Sequence, residues 1–197
     1  MHRLVLKEDK QLQELEGIAV HPGEGQHLAW LASRVKSEHA IVELGSYKGK
    51  SACYLGAGSR AGCGAHVYAV DLWDKGETTI ERARRPGVLE NWKMQVGKMK
   101  LNNIIHFIQG HSVETAKTWE KPVGLLFHDA GHSYEEVRVD FEAWGKFIVV
   151  GGWIAFHDYA HKEWKKQIKP FIDELRDTDE WGEFTLYNWT CSLRKLT

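Results

Sequence analysis

Cysteine occurs only three times in the 197 residues, at Cys53, Cys63 and Cys191. That number and spacing give neither a disulfide framework nor a zinc cluster, so reduced thiols in a cytoplasmic protein are expected. Charge of one sign is also lacking. Twenty-six Lys and Arg balance 27 Asp and Glu for a net charge of −1, which removes any global attraction to nucleic acid or to an anionic membrane. No apolar run approaches the ~20 residues of a membrane helix. The opening MHRLVLKEDKQLQELEG is broken by charge too early for a signal-peptide core.

What remains is ordinary globular usage, 43% hydrophobic and 27% charged, which predicts one folded domain over 1–197. Nine Trp and eleven His stand out, several of the His late in the chain. Helical and strand patterns alternate, which predicts a mostly parallel α/β sheet with helices on both faces. Buried strands are expected at Ala40–Leu44, His66–Val70, Ile104–Ile108, Val123–Phe127 and Trp153–Phe156, with a terminal pair at Phe184–Tyr187 and Cys191–Leu193. Gly151-Gly152 reads as the turn into the fifth strand. Helices are expected around Asp9–Leu15, Gly25–Val35, Ser51–Ser59, Val88–Met99, Val113–Trp119, Ser133–Phe147 and Lys165–Arg176. Residues 1–38 are expected as a helical cap over the site or a contact in a homo-oligomer, and 39–197 as the core. The stretch from Trp73 to Gly87, with Arg82, Arg84 and Arg85, reads as a flap.

The most informative segment is Ile41-Val42-Glu43-Leu44-Gly45-Ser46-Tyr47-Lys48-Gly49-Lys50-Ser51. An apolar strand ends in a glycine turn and a helix begins. Gly45 permits a sharp turn and close ligand approach, and the helix N-terminus offers free N–H groups. Asp71 closes the next strand, beside that turn, where an acid holds ribose hydroxyls. The spacing departs from GxGxxG, and Glu43 ahead of the glycines suits a cationic or hydroxyl-rich ligand better than a pyrophosphate.

This stretch resembles motif I of the class I S-adenosylmethionine-dependent methyltransferases, especially the small metal-dependent O-methyltransferases of the catechol and caffeoyl type. The resemblance spans roughly Ile41 to Tyr159. It implies a Rossmann-like fold of seven strands with the last antiparallel. It also implies a cofactor site of Glu43, Gly45, Ser46, Tyr47, Gly49 and Ser51 at the amino-acid end. Asp71 then takes the ribose, and Leu72, Trp73 and the Gly110-His111-Ser112 turn lie at the adenine. Trp73 reads equally well as loop packing.

Two later strands end in Asp and His: Phe127-His128-Asp129-Ala130-Gly131-His132 and Phe156-His157-Asp158-Tyr159. Carboxylates at neighbouring strand ends can share a cation. Oxygen ligands suit Mg²⁺, and an imidazole shifts preference towards Mn²⁺, Fe²⁺ or Zn²⁺. By the resemblance, Asp129, His157 and Asp158 hold the metal, Asp129 also borders the cofactor, and His132 falls where a catalytic lysine stands, as general base. His157 replaces an Asp of that pattern. The wording H-D-A-G-H-S-Y-E is also similar to a D-G-D-H-S-Y-E branch of methyltransferases, with Gly131 in place of its second Asp. Tyr159 and Trp164 are placed to wall the acceptor, and His128 is expected on the opposite face of its strand as a satisfied core residue.

These residues imply methyl transfer from S-adenosylmethionine, assisted by Mg²⁺ or Mn²⁺, to a small hydroxylated acceptor. Two readings stay open beside it: a hydroxylase-like metal enzyme and a non-catalytic nucleotide-binding module. A nucleic-acid substrate is disfavoured, since there is no basic stripe and no N-P-P-Y motif for a flipped base.

Overall fold

The computed structural model describes residues 2–17, 21–73 and 87–197. Seven strands form one sheet: β1 (Ala40–Leu44), β2 (Val67–Asp71), β3 (Ile105–Gln109), β4 (Val123–His128), β5 (Ile148–Phe156), β6 (Trp181–Tyr187) and β7 (Thr190–Lys195). Their order is β3-β2-β1-β4-β5-β7-β6. The first five pair in parallel, and β7 runs antiparallel to both β5 and β6. This is the expected Rossmann-like arrangement, with the antiparallel strand where the resemblance puts it.

Every residue of β1 and β4 is buried, as befits central parallel strands covered on both faces. Alternate side chains serve two cores. Ile41, Leu125 and Phe127 meet Leu28, Leu55 and Trp92 on one side, whereas Val42, Leu44 and Leu126 meet Val137, Trp144 and Ile172 on the other. The first core is covered by α2 (Pro22–Ser33), α3 (Lys50–Ala61) and α4 (Val88–Lys98), with the short α1 (Asp9–Gln13) beside them. The second is covered by α6 (Tyr134–Trp144) and α7 (Lys165–Arg176), and the short α5 (Ser112–Ala116) follows β3. Among the described residues no helix is long and apolar enough to cross a membrane.

One detail differs from the sequence expectation. Gly151-Gly152 lies inside β5, which starts at Ile148; Gly151, at φ +80°, lets the strand shift register against β4 without ending it. The expected flap falls almost wholly on residues 74–86, Arg82, Arg84 and Arg85 included, which lie outside the described residues. Within the N-terminal 38 residues, α2 is part of the helical layer: Leu28, Ala29, Leu31 and Ala32 are fully buried. Among the described residues, the stretch after α1 reaches the glycine turn, held by Gln95, whose amide nitrogen donates to Glu16 O (2.8 Å) and Lys48 O (2.6 Å).

Candidate active site

Five strand ends are tied together by four backbone bonds. Gly45 N–H donates to Val70 O (2.9 Å), Asp129 N–H to Leu44 O (2.8 Å), His157 N–H to His128 O (3.0 Å) and Gly110 N–H to Asp71 O (3.0 Å). The parallel ladder therefore brings the residues just past β1, β2, β3, β4 and β5 onto one edge. Ligands of such sheets bind at that edge. A cleft of about 1190 Å³ opens there.

One end of the cleft is the glycine turn. Gly45 has φ +79°, and a side chain on it would strike the Asp129 carbonyl, so only glycine allows β1 and β4 to end this close together. Tyr47 and Trp73 also hold positive φ, +49° and +46°. The Asp71 carboxylate fixes both: Ser46 and Tyr47 N–H donate to Oδ2 at 2.7 and 2.8 Å, and Trp73 N–H donates to Oδ1 at 2.9 Å. Asp71 thus organises the turn from which it was expected to reach a ribose. Indoles brace it further, Trp92 Nε1 donating to Ser46 Oγ (2.8 Å) and Trp73 Nε1 to Tyr47 O (2.9 Å).

The expected cofactor residues divide by position. Gly45, Ser46, Tyr47 and Ser51 border the cleft at the turn, and Asp71, Leu72, Gly110, His111, Ser112 and Asp129 continue the rim. Trp73 also borders it, but its side chain is 2% exposed and packs edge-on against Trp92 and Phe107, which is the loop-packing role. Glu43 and Gly49 do not border it. Gly49 caps α3 at φ +84° against Trp92. Glu43 is wholly buried beneath the turn, and burial pushes its carboxyl up to about 8.

At the other end lie the Asp and His residues. His132 Nε2 is 2.9 Å from Asp158 Oδ2. His157 Nδ1 is 3.3 Å from Asp129 Oδ1 and 3.1 Å from Asp158 Oδ1. Burial pushes the Asp158 carboxyl up, but hydrogen bonds and charge from the two imidazoles outweigh it and hold that carboxyl well below the usual range. Burial likewise opposes the charge on His132 and His157, and the carboxylates of Asp129 and Asp158 overcome it, so both imidazoles are raised, His157 strongly. Asp158 sits at φ +63°, a costly conformation for a non-glycine residue, and such outliers gather at functional sites.

Among the described residues one group of His and Asp side chains has ligand atoms within 4.8 Å of one another: Asp129, His132 and Asp158. The membership differs from the sequence expectation. His132, expected as the base, joins the carboxylates, while His157, expected as a ligand, lies outside that group although it is 6% exposed, borders the same cleft and sits beside both carboxylates. His157 directly follows β5, whereas His132 lies on the loop between β4 and α6. His128 behaves as expected. Its Nε2 is 2.9 Å from the Asp140 carboxylate, which also accepts from Ser112 Oγ.

Tyr159 is not a cleft wall. It is 6% exposed and its hydroxyl donates to Asp173 (2.7 Å). Trp164 does border the cleft, as does Trp189, which sequence reasoning missed. Its one signal was a tryptophan in the polar tip between two short strands, where loops carry function.

The strand order and the site at the strand ends are those of the class I S-adenosylmethionine-dependent methyltransferases. Residues 42–159, more than half of the chain, match the model of a family described as a methyltransferase domain, and the chain belongs to that family. An uncharacterized protein, R132 of Acanthamoeba polyphaga mimivirus, is 28% identical over 110 residues, 52% of this chain and 49% of that protein. The chain thus spans about half the length of that curated relative. Among solved structures, the SAH-bound methyltransferase PaMTH1 of Podospora anserina has a TM-score of 0.70 at 15% identity, with 97% of this chain and 87% of that one covered. The O-methyltransferase TomG of Streptomyces achromogenes, involved in tomaymycin synthesis and solved with SAM, has 0.68 at 15%, covering 96% and 87%. An O-methyltransferase of Bacillus cereus, in complex with SAH, has 0.66 at 16%, covering 96% and 90%. At such identities the likeness is one of fold.

Proposed function

We propose that this chain transfers the methyl group of S-adenosylmethionine to a hydroxyl of a small molecule, assisted by a divalent cation. The observation that carries the reading is one continuous cleft, with the glycine turn and Asp71 at one end and Asp129, His132 and Asp158 at the other. SAM and SAH in the TomG and Bacillus cereus structures support the cofactor, and their O-methyltransferase naming supports oxygen as the acceptor atom.

Two carboxylates and one imidazole within 4.8 Å fit a divalent cation, and the nitrogen ligand favours Mn²⁺ over Mg²⁺. When bound, the cation supplies positive charge that holds the acceptor oxygen and lowers its pKa. His157, whose Nδ1 lies 3.3 Å from Asp129 Oδ1 and 3.1 Å from Asp158 Oδ1, would orient both carboxylates. The glycine turn and Asp71 would hold the cofactor at one end of the cleft, and the Asp129, His132 and Asp158 group would take the acceptor oxygen at the other.

The 2.9 Å contact of His132 with Asp158 favours a second reading, in which His132 is the base and Asp158 stabilises its protonated form. Calorimetry of SAH and of Mn²⁺ separates these. SAH should bind at micromolar affinity and Asp71→Ala should abolish that binding. Asp158→Asn keeps a residue that tolerates positive φ and loses the charge. It should weaken Mn²⁺ by about tenfold or more while leaving SAH affinity within about threefold. Absence of Mn²⁺ binding in the parent protein, with SAH still bound, would transfer the role to the His132 and Asp158 pair. Absence of SAH binding under every condition would sink methyl transfer altogether.

A further inference from the structure

Among the described residues, β3 pairs with β2 alone and so forms one edge of the sheet. Near its start, His106 stands in register with Tyr68 of β2, and His66 immediately precedes β2. The alternation of side chains along a strand puts all three on the same face, that of the second core. Although 40 positions apart in sequence, the two imidazoles meet. His66 Nδ1 lies 2.7 Å from His106 Nε2, with the ring centroids 4.9 Å apart. Facing ring nitrogens at that distance share one proton, so at least one of them offers a lone pair. His66 is exposed and His106 half-buried, which leaves the pair open to solvent.

The backbone beneath the pair is fixed. Val67 N–H donates to Ile104 O (2.9 Å) and Ile41 N–H to His66 O (2.9 Å). The Tyr68 ring lies 5.3 Å from that of His106, and Trp119 meets Tyr68 edge-on at 5.0 Å. Burial and the neighbouring His66 lower the pKa of His106, which favours the neutral ring, the form that ligates a metal. His66 stands at the opposite end of β2 from Asp71, roughly 16 Å away by the rise of an extended strand. Neither imidazole borders the cleft.

We propose that His66 and His106 form a metal site of their own, remote from the cleft, for a borderline transition ion of the Zn²⁺ class that clips the edge strand β3 to β2. Two nitrogens on one tetrahedral Zn²⁺ stand about 3.3 Å apart, given Zn–N bonds of about 2.0–2.1 Å. Opening the present contact by about 0.6 Å, with both lone pairs turned outward, makes room for the ion. Nitrogen ligands favour Ni²⁺, Cu²⁺ and Zn²⁺ and give little hold on Mg²⁺, which takes oxygen. The remaining coordination positions face solvent and take water. Because the sheet already orders both residues, little conformational entropy is lost on binding. This site stands or falls independently of methyl transfer.

Zn²⁺ is titrated calorimetrically into metal-free protein in which the exposed Cys63 is replaced by serine, and into the same chain carrying His66→Gln, His106→Gln or Asp158→Asn. The parent should take up one more equivalent than either histidine variant. Asp158→Asn should keep that equivalent, since the charge it loses lies in the cleft. Removal of either imidazole should weaken Zn²⁺ at the pair by about tenfold or more, and excess Mg²⁺ should not compete. Zn²⁺ should also slow amide hydrogen exchange along Ile105–Gln109 in the parent and not in His66→Gln, a change that packing of the ring alone would not give. Superimposable isotherms for the parent and His66→Gln would overturn the inference, as would loss of the extra equivalent in Asp158→Asn alone. His66 is exposed, so its variant decides the matter even where His106→Gln disturbs the edge strand.

Discussion

Several titratable residues of this chain are held in forms they would not keep in water. His27 is fully buried in α2, its Nδ1 donating to His2 O (2.7 Å) and its Nε2 accepting from Ser192 Oγ (2.9 Å). Burial pushes it down to about 4 from 6.5. The folded protein thus keeps His27 neutral where the unfolded chain takes up a proton. The stability this gives is present above pH 6.5 and is lost as pH falls from there to about 4. His27→Gln should flatten the stability profile in that window by up to about 3 kcal/mol relative to the parent, measured by urea unfolding at a series of pH values. An identical slope in both proteins would show that His27 is not buried neutral. Glu43 has the opposite sign: raised to about 8, its carboxyl costs stability as pH rises from 4.5 towards 8.

At the scale of elements, the contact of α2 with α3 sets how the N-terminal segment joins the sheet. A side chain on Gly58 would collide with the backbone of Ala29, and one on Gly62 with the backbone of Ser33. Small residues on α3 let the helix axes approach closely, which brings the first turn of α2, with Glu24, to the tip of the β6–β7 hairpin. Gly58→Ala should destabilise the fold by about 3 kcal/mol despite its better helix propensity, because backbone cannot yield as a side chain can. A denaturant midpoint equal to or above the parent's would contradict that packing.

At the scale of the molecule, the cleft is a junction of strand ends, so a ligand in it bridges elements from both halves of the sheet. Anything that binds the folded chain alone stabilises it by mass action. SAH at a hundredfold its dissociation constant should add about 2.7 kcal/mol, which for a chain of this length raises the melting temperature by about 5–10 °C. Differential scanning calorimetry checks this, and an unchanged melting temperature at saturating SAH would mean that the cleft holds some other ligand.

Local sequence determined much of this protein. The apolar run at Ala40–Leu44 and the amphipathic pattern of Lys165–Arg176 define β1 and α7 at the bounds observed. The glycine turn and the acid of Asp71 mark one end of the cleft, because turn chemistry and strand period are properties of a few consecutive residues. Tertiary structure decided the rest. β5 runs through Gly151-Gly152 because β4 pairs with it before that point, at Ile148, and again from Trp153. His132 converges with Asp129 and Asp158 because the loop between β4 and α6 returns to the end of β5. Glu24 meets Trp189 across 165 positions of sequence. No local pattern encodes such a pair, since it exists only once the strand order has set α2 beside the terminal hairpin.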